Sequence, residues 1–155
     1  MKIRPYRAQD RAACHNVFYH AVREGTAAHY TAAQRAAWAP GIQPPDTPDK
    51  LLTQWCVVAE DATGLTGFMS MTPAGYLDMA FVLPRVMGRG VAGALYDALL
   101  LQAAHLPRLT THASLLARPF LARRGWRVEA VEQHPAHGQI YERFAMALTL
   151  AGGRP

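Results

Sequence analysis

The chain has 155 residues, half of them apolar and 17% charged, which suffices for one hydrophobic core and excludes a disordered or collagen-like polypeptide. Sixteen basic residues against eleven acidic give a formal charge of +5, and Lys2 and Lys50 are the only lysines in the basic set. That balance favours an anionic partner: nucleic acid, an acidic surface or a phosphorylated ligand.

The polar start Met1 to Arg7 predicts no signal peptide, and the most apolar stretch, Val91 to Leu101, contains Asp97 and is too short to span a bilayer. A cytoplasmic protein is expected. Cys14 and Cys56 are far apart without CxxC spacing, which predicts two reduced thiols rather than a disulfide or metal pair.

Ile3 begins a short strand that Pro5 ends. From about Gln9 to Glu24 the apolar residues Ala12, Ala13, Val17, Phe18, Ala21 and Val22 recur at helical spacing, and Gly25 stops the run. A second helix is predicted from Ala32 to Trp38, with Thr31 and Gln34 as a capping box. Four prolines between Pro40 and Pro48 mark a loop, and Thr47-Pro48 reads as the cap and first turn of a short helix through Gln54.

The pattern then changes to strands: Trp55 to Glu60, Leu65 to Met71 and Tyr76 to Leu83, joined by turns at Asp61 to Gly64 and Pro73 to Gly75. A glycine-rich segment, Met87 to Gly93, opens a helix to about Ala104. Leu109 to His112 reads as a strand, Arg118 to Arg124 as a helix ended by Gly125, and Trp126 to Gln133 with Gln139 to Leu148 as a closing hairpin around His134 to Gly138. The order predicts an α+β domain, residues 1–150, with a mixed, mostly antiparallel sheet, helices on both faces and a frayed tail at 151–155.

The informative segment runs from Val82 to Tyr96. A strand ends, the backbone turns through glycines, and a helix starts at once; such a turn aims free N–H groups at one point, where the helix dipole adds positive charge. That suits a phosphate. A P-loop is excluded because no Gly-Lys-Ser/Thr triplet occurs. Gly88-Arg89-Gly90-Val91-Ala92-Gly93 matches the letters of a dinucleotide fingerprint, but it follows a meander strand and has no acid at the required distance.

Here the chain resembles the GNAT family of acetyl-CoA-dependent N-acetyltransferases. Their signature, Gln/Arg-x-x-Gly-x-Gly/Ala, finds Met87, Gly90 and Ala92 at the corresponding places. Ile3-Arg4-Pro5-Tyr6-Arg7 before a helix, the meander, Ala117-Arg118-Pro119-Phe120 before Gly125-Trp126, and the final hairpin resemble family landmarks in order. The resemblance implies a GNAT fold in which Met87, Gly88, Arg89, Gly90, Val91 and Ala92 receive the coenzyme pyrophosphate. The pantetheine arm would run along Phe81 and Val82, where the strand splays from its neighbour.

Ser114 stands where many members place a cofactor-contacting asparagine, and Leu121 where many carry the tyrosine that protonates the leaving thiolate. His29, Tyr30 and Trp38 fall in the segment that walls the acceptor pocket in this family. Three residues are candidates for proton transfer. Strand alternation puts Tyr76, Asp78, Ala80 and Val82 on one side and Leu77, Met79 and Phe81 on the other, which makes Asp78 an acid in an apolar strand beside the groove. Burial there would make it a usable base. His112 ends the neighbouring strand, and Tyr76 sits where relatives often have an acid.

The implied partners are acetyl-CoA and a primary amine, attacked directly, with no metal and no membrane, nucleic acid disfavoured by the scattered arginines, and homodimer formation open. A silent coenzyme-binding or nucleic-acid-binding module is the alternative.

Overall fold

The computed structural model describes residues 1–150. Seven strands form one sheet: β1 (Lys2–Pro5), β2 (Trp55–Asp61), β3 (Gly64–Met71), β4 (Tyr76–Val82), β5 (Arg108–Ala113), β6 (Arg127–Ala136) and β7 (Gln139–Thr149), in the order β1-β2-β3-β4-β5-β7-β6. Every neighbouring pair is antiparallel except β4 with β5. The parallel pair is short. Only Tyr76↔Thr110 and Leu77↔Thr111 are in register, after which the two strands part.

Helices α1 (Arg11–His20) and α2 (Ala32–Trp38) cover one face, and α3 (Val91–Ala103) with α4 (Ala117–Arg123) the other. The larger core lies beneath α3, where Leu95 and Leu99 are fully buried against Met69, Met71, Leu77 and Leu109. A smaller one lies beneath α1, built on Val17, Val58 and Phe68. Truncating Leu99 to alanine would cost about 3 kcal/mol in lost transfer and cavity energy.

The capping box at α2 forms as expected: Thr31 Oγ1 accepts from the Gln34 amide, and Gln34 Oε1 from the Thr31 amide. The predicted first helix is instead three pieces, a 3-10 turn at Ala8–Asp10, α1, and a π turn at Ala21–Gly25. Thr26 Oγ1 donates to the Val22 carbonyl at 2.6 Å, and Arg23 Nε reaches across to the Ala39 carbonyl at 2.7 Å, so side chains take over where the backbone ladder changes. The short helix after the proline loop is a 3-10 turn, Lys50–Thr53, and its cap is Asp49, whose Oδ1 accepts from the Leu51 amide; Thr47 is not the cap.

The closing hairpin is tighter than its sequence suggests. β6 runs on through Pro135-Ala136, which an edge strand tolerates, and the reversal is made by His137 and Gly138, both at positive φ. Cys14 and Cys56 are buried and free, and burial pushes the Cys56 thiol up to about 12. Among the described residues no helix is long and apolar enough to cross a membrane.

Candidate active site

The site follows from one irregularity in β4. Its register with β3 shifts between Ser70↔Met79 and Met71↔Leu77, leaving Asp78 as an extra residue in a β-bulge. Strict alternation is therefore broken, contrary to the sequence expectation. Leu77 packs into the core under α3, whereas Met79 and Phe81 pack toward α1. The predicted grouping of Leu77 with Met79 and Phe81 does not hold.

Beyond the bulge the ladder leaves two donors unused. Leu83 donates its N–H to the Thr66 carbonyl at 2.7 Å, so alternation directs the amides of Phe81 and Met79 into β3 and turns those of Ala80 and Val82 toward the opposite edge. That edge faces the gap where β5 has departed. A cleft of about 610 Å³ fills the gap, lined by Ala80, Phe81 and Val82 on one side, Ser114, Ala117 and Phe120 on the other, and the glycine loop at its end.

In the loop, Gly88 and Gly90 have φ of 78° and 83°, backbone that glycine adopts without strain. The amides of Met87 and Arg89 donate inward, to the carbonyls of Pro84 and Val86. Those of Val91, Ala92 and Gly93 begin α3 and have no intrahelical partner, since the first such bond runs from Ala94 to Gly90. The amides of Gly88 and Gly90 likewise have no partner among the described residues, so of the segment singled out in the sequence only Met87 and Arg89 have theirs engaged. Arg89 is exposed and its side chain does not line the cleft.

Sequence reasoning missed the charge in this cleft. Arg124 lines it, with its guanidinium 4.5 Å from the Phe120 ring centre and 5.0 Å from that of Tyr96. It has no carboxylate partner among the described residues. Two arginines directly before Gly125 were the signal that could have pointed to it.

A second cavity, of about 200 Å³, meets the cleft at Trp38 and Ser114, which line both. Its walls include Tyr30, Tyr141, His112, His134 and Arg143. Tyr30 and Tyr141 give up their hydroxyl hydrogens to the backbone carbonyls of Glu142 and Gln34, so their rings rather than their polar ends are presented. Trp38 lies 5.7 Å and 6.0 Å from those two rings in edge-on packing. His29 is exposed on the turn before α2 and lines neither cavity, contrary to expectation.

The proton-transfer candidates are brought together unequally. Tyr76 Oη lies 2.8 Å from His112 Nδ1, and His112 Nε2 lies 3.8 Å from Glu132, which accepts from Arg143 Nε at 2.8 Å. Burial, then the nearby Arg143 charge, holds His112 below its usual value, which favours the neutral imidazole. Burial, then Asp78, raises the Tyr76 phenol. Asp78 is not the solitary acid expected. Its carboxylate pairs with Lys50 at 2.9 Å and accepts from Gln54 at 2.8 Å, and it lines neither cavity. Leu121 is buried in the core and Ser114 Oγ caps the Ala117 amide at 3.1 Å.

A splayed β4/β5 pair, an amide-rich loop before a helix, and a second cavity meeting the first define a transferase built around an extended phosphorylated co-substrate. The sequence model of the acetyltransferase (GNAT) domain matches residues 26–145, and the chain belongs to that family of acetyl-CoA-dependent N-acetyltransferases. An uncharacterized N-acetyltransferase of Escherichia coli K12, YafP, is 32% identical over 146 residues, 94% of each chain. A GCN5-related N-acetyltransferase from Rhodopseudomonas palustris superposes with a TM-score of 0.84 at 29% identity, over 96% of this chain and 95% of that one. YncA of Salmonella typhimurium, solved with acetyl-CoA, shares the fold at a TM-score of 0.69 and 21% identity, over 100% and 96% of the two chains.

Proposed function

We propose that this chain transfers the acetyl group of acetyl-CoA to a primary amine by direct attack, with the acceptor entering the smaller cavity and His112 receiving its proton. The observation that carries the reading is the meeting of the two cavities at Trp38 and Ser114, with His112 on the wall of the acceptor side. Acetyl-CoA supplies an activated acyl group on a thioester. The amine nitrogen bonds to the carbonyl carbon as its proton passes to His112, the carbon–sulfur bond breaks, and coenzyme A leaves as a thiolate that takes a proton from solvent.

Each residue has a part in that sequence. The amides of Val91, Ala92 and Gly93 hold the pyrophosphate, and Arg124 adds a full positive charge beside them, which Met87 at the family's Gln/Arg position does not. The N–H groups of Ala80 and Val82 serve the strand-like pantetheine arm and the developing oxyanion. His112 takes the amine proton, and Tyr76 fixes its ring through Nδ1. Asp78, held by Lys50, shapes the strand and keeps negative charge near Tyr76. Residues 1–150 act as one domain, and the two free buried thiols suit a cytoplasmic enzyme.

Two measurements test the reading. Calorimetric titration with acetyl-CoA should give saturable binding, and thiol release against a panel of primary amines should exceed the hydrolytic background. Absent binding at high micromolar coenzyme would refute it.

A further inference from the structure

Arg143 has more hydrogen-bonding capacity than the protein uses. On β7 it stands between Tyr141 and Ala145, on the face that also carries His112 of β5 and Glu132 and His134 of β6. Its Nε donates to Glu132 at 2.8 Å, which fixes the plane of the guanidinium. Neither Nη atom donates to a group among the described residues, and the side chain is 27% exposed, at the wall of the acceptor cavity.

A guanidinium anchored through one nitrogen and free at the others suits a planar oxyanion, which takes two parallel N–H donors. The rest of the cavity suits an apolar body. Tyr30, Trp38 and Tyr141 present rings, and the two tyrosine hydroxyls are already committed to backbone carbonyls. His134 adds a further donor on the same wall.

Resting on the acetyl-transfer reading above, we propose that the acceptor is a small amine that also carries a carboxylate, bound by the free Nη edge of Arg143, with its apolar part against Tyr30, Trp38 and Tyr141. The Arg143–Glu132 pair then has a positioning purpose. Glu132 holds the guanidinium so that the carboxylate, and with it the amine, is placed toward His112.

The test uses matched acceptors: an apolar α-amino acid, its carboxamide and its decarboxylated amine, each followed by thiol release from acetyl-CoA. The expected result is a kcat/KM for the acid roughly tenfold to a hundredfold above both neutral analogues, the worth of one charge-assisted pair. In Arg143→Gln that ratio should collapse toward one, and Arg143→Lys should restore part of it. The ratio is the readout because it is insensitive to any general loss of rate. Release with equal efficiency for all three, or a preference that survives Arg143→Gln, overturns the inference alone. No release with any amine overturns the acetyl-transfer reading and this inference together.

Discussion

Arg124 occupies the space that a Cβ on Gly93 would need: its Nη2 lies 2.6 Å from that position. Glycine in the first turn of α3 is therefore what allows the guanidinium to lie across the start of the helix, stacked on Phe120 and Tyr96. Local propensity opposes this choice, since alanine is favoured over glycine in a helix by about 1 kcal/mol.

The opposition makes Gly93→Ala informative. The variant should displace Arg124 and weaken acetyl-CoA binding about tenfold, the scale of one charge-assisted contact, without lowering Tm. Arg124→Gln should match it in affinity. Calorimetric Kd values alongside thermal melts check both, and a loss of affinity accompanied by an equal loss of stability would mean that the glycine serves packing alone.

His112→Gln should lower kcat by about a hundredfold or more, as expected when a positioned base is removed. Because burial and Arg143 hold the imidazole below its ordinary value of 6.5, kcat/KM in the native enzyme should fall only as pH drops below that value. Tyr76→Phe should shift this acidic limb while leaving coenzyme affinity unchanged. A pH–rate profile whose acidic limb is the same in His112→Gln as in the native protein would remove His112 from proton transfer.

Asp78→Asn should reduce kcat by less than about tenfold, since its partners Lys50 and Gln54 already engage the carboxylate and neither cavity is lined by it. Side-by-side turnover of Asp78→Asn and His112→Gln decides which acts on the proton. A greater loss for Asp78→Asn would reverse the assignment.

Asp10 should matter for the fold rather than the site. It is 7% exposed, and both its oxygens accept from Arg4 at 2.9 Å. Arg4 holds the carboxyl below its usual 3.8, so the contribution is complete above that pH and is lost as pH falls through the depressed value. Asp10→Ala should cost about 3 kcal/mol, because Arg4 keeps only Glu60 and the Pro5 carbonyl as partners and the Arg7 amide loses its acceptor. Urea melts at pH 7 check the magnitude, and melts between pH 5 and pH 2 check the sign.

The fold was legible wherever sequence and backbone obey one local rule. The Thr31/Gln34 cap, the meander with its turns, and the glycine loop each announce themselves within a few residues. The site was less so. Nothing local marks Asp78 as a bulge, because the extra residue exists only relative to β3. Asp78 also meets Lys50, 28 positions away, through tertiary folding alone. Arg124 and Arg143 looked like ordinary surface arginines; their meaning lies in which neighbours they lack, a property no spacing encodes.

The bulge gives β4 something like a reading frame. Upstream of it the strand is phased to one core, downstream to the other, and both phases must be kept for Leu77, Met79 and Phe81 to find their packing partners. Deleting residue 78 would join the two phases as a regular ladder, with Leu77 still opposite Met71 and Met79 still opposite Ser70, whereas deleting a residue between Met79 and Val82 would slip the frame of everything after it. Residue 78 is thus the one position this strand could lose without re-phasing the rest, so what it contributes is its carboxylate, held by Lys50 and Gln54.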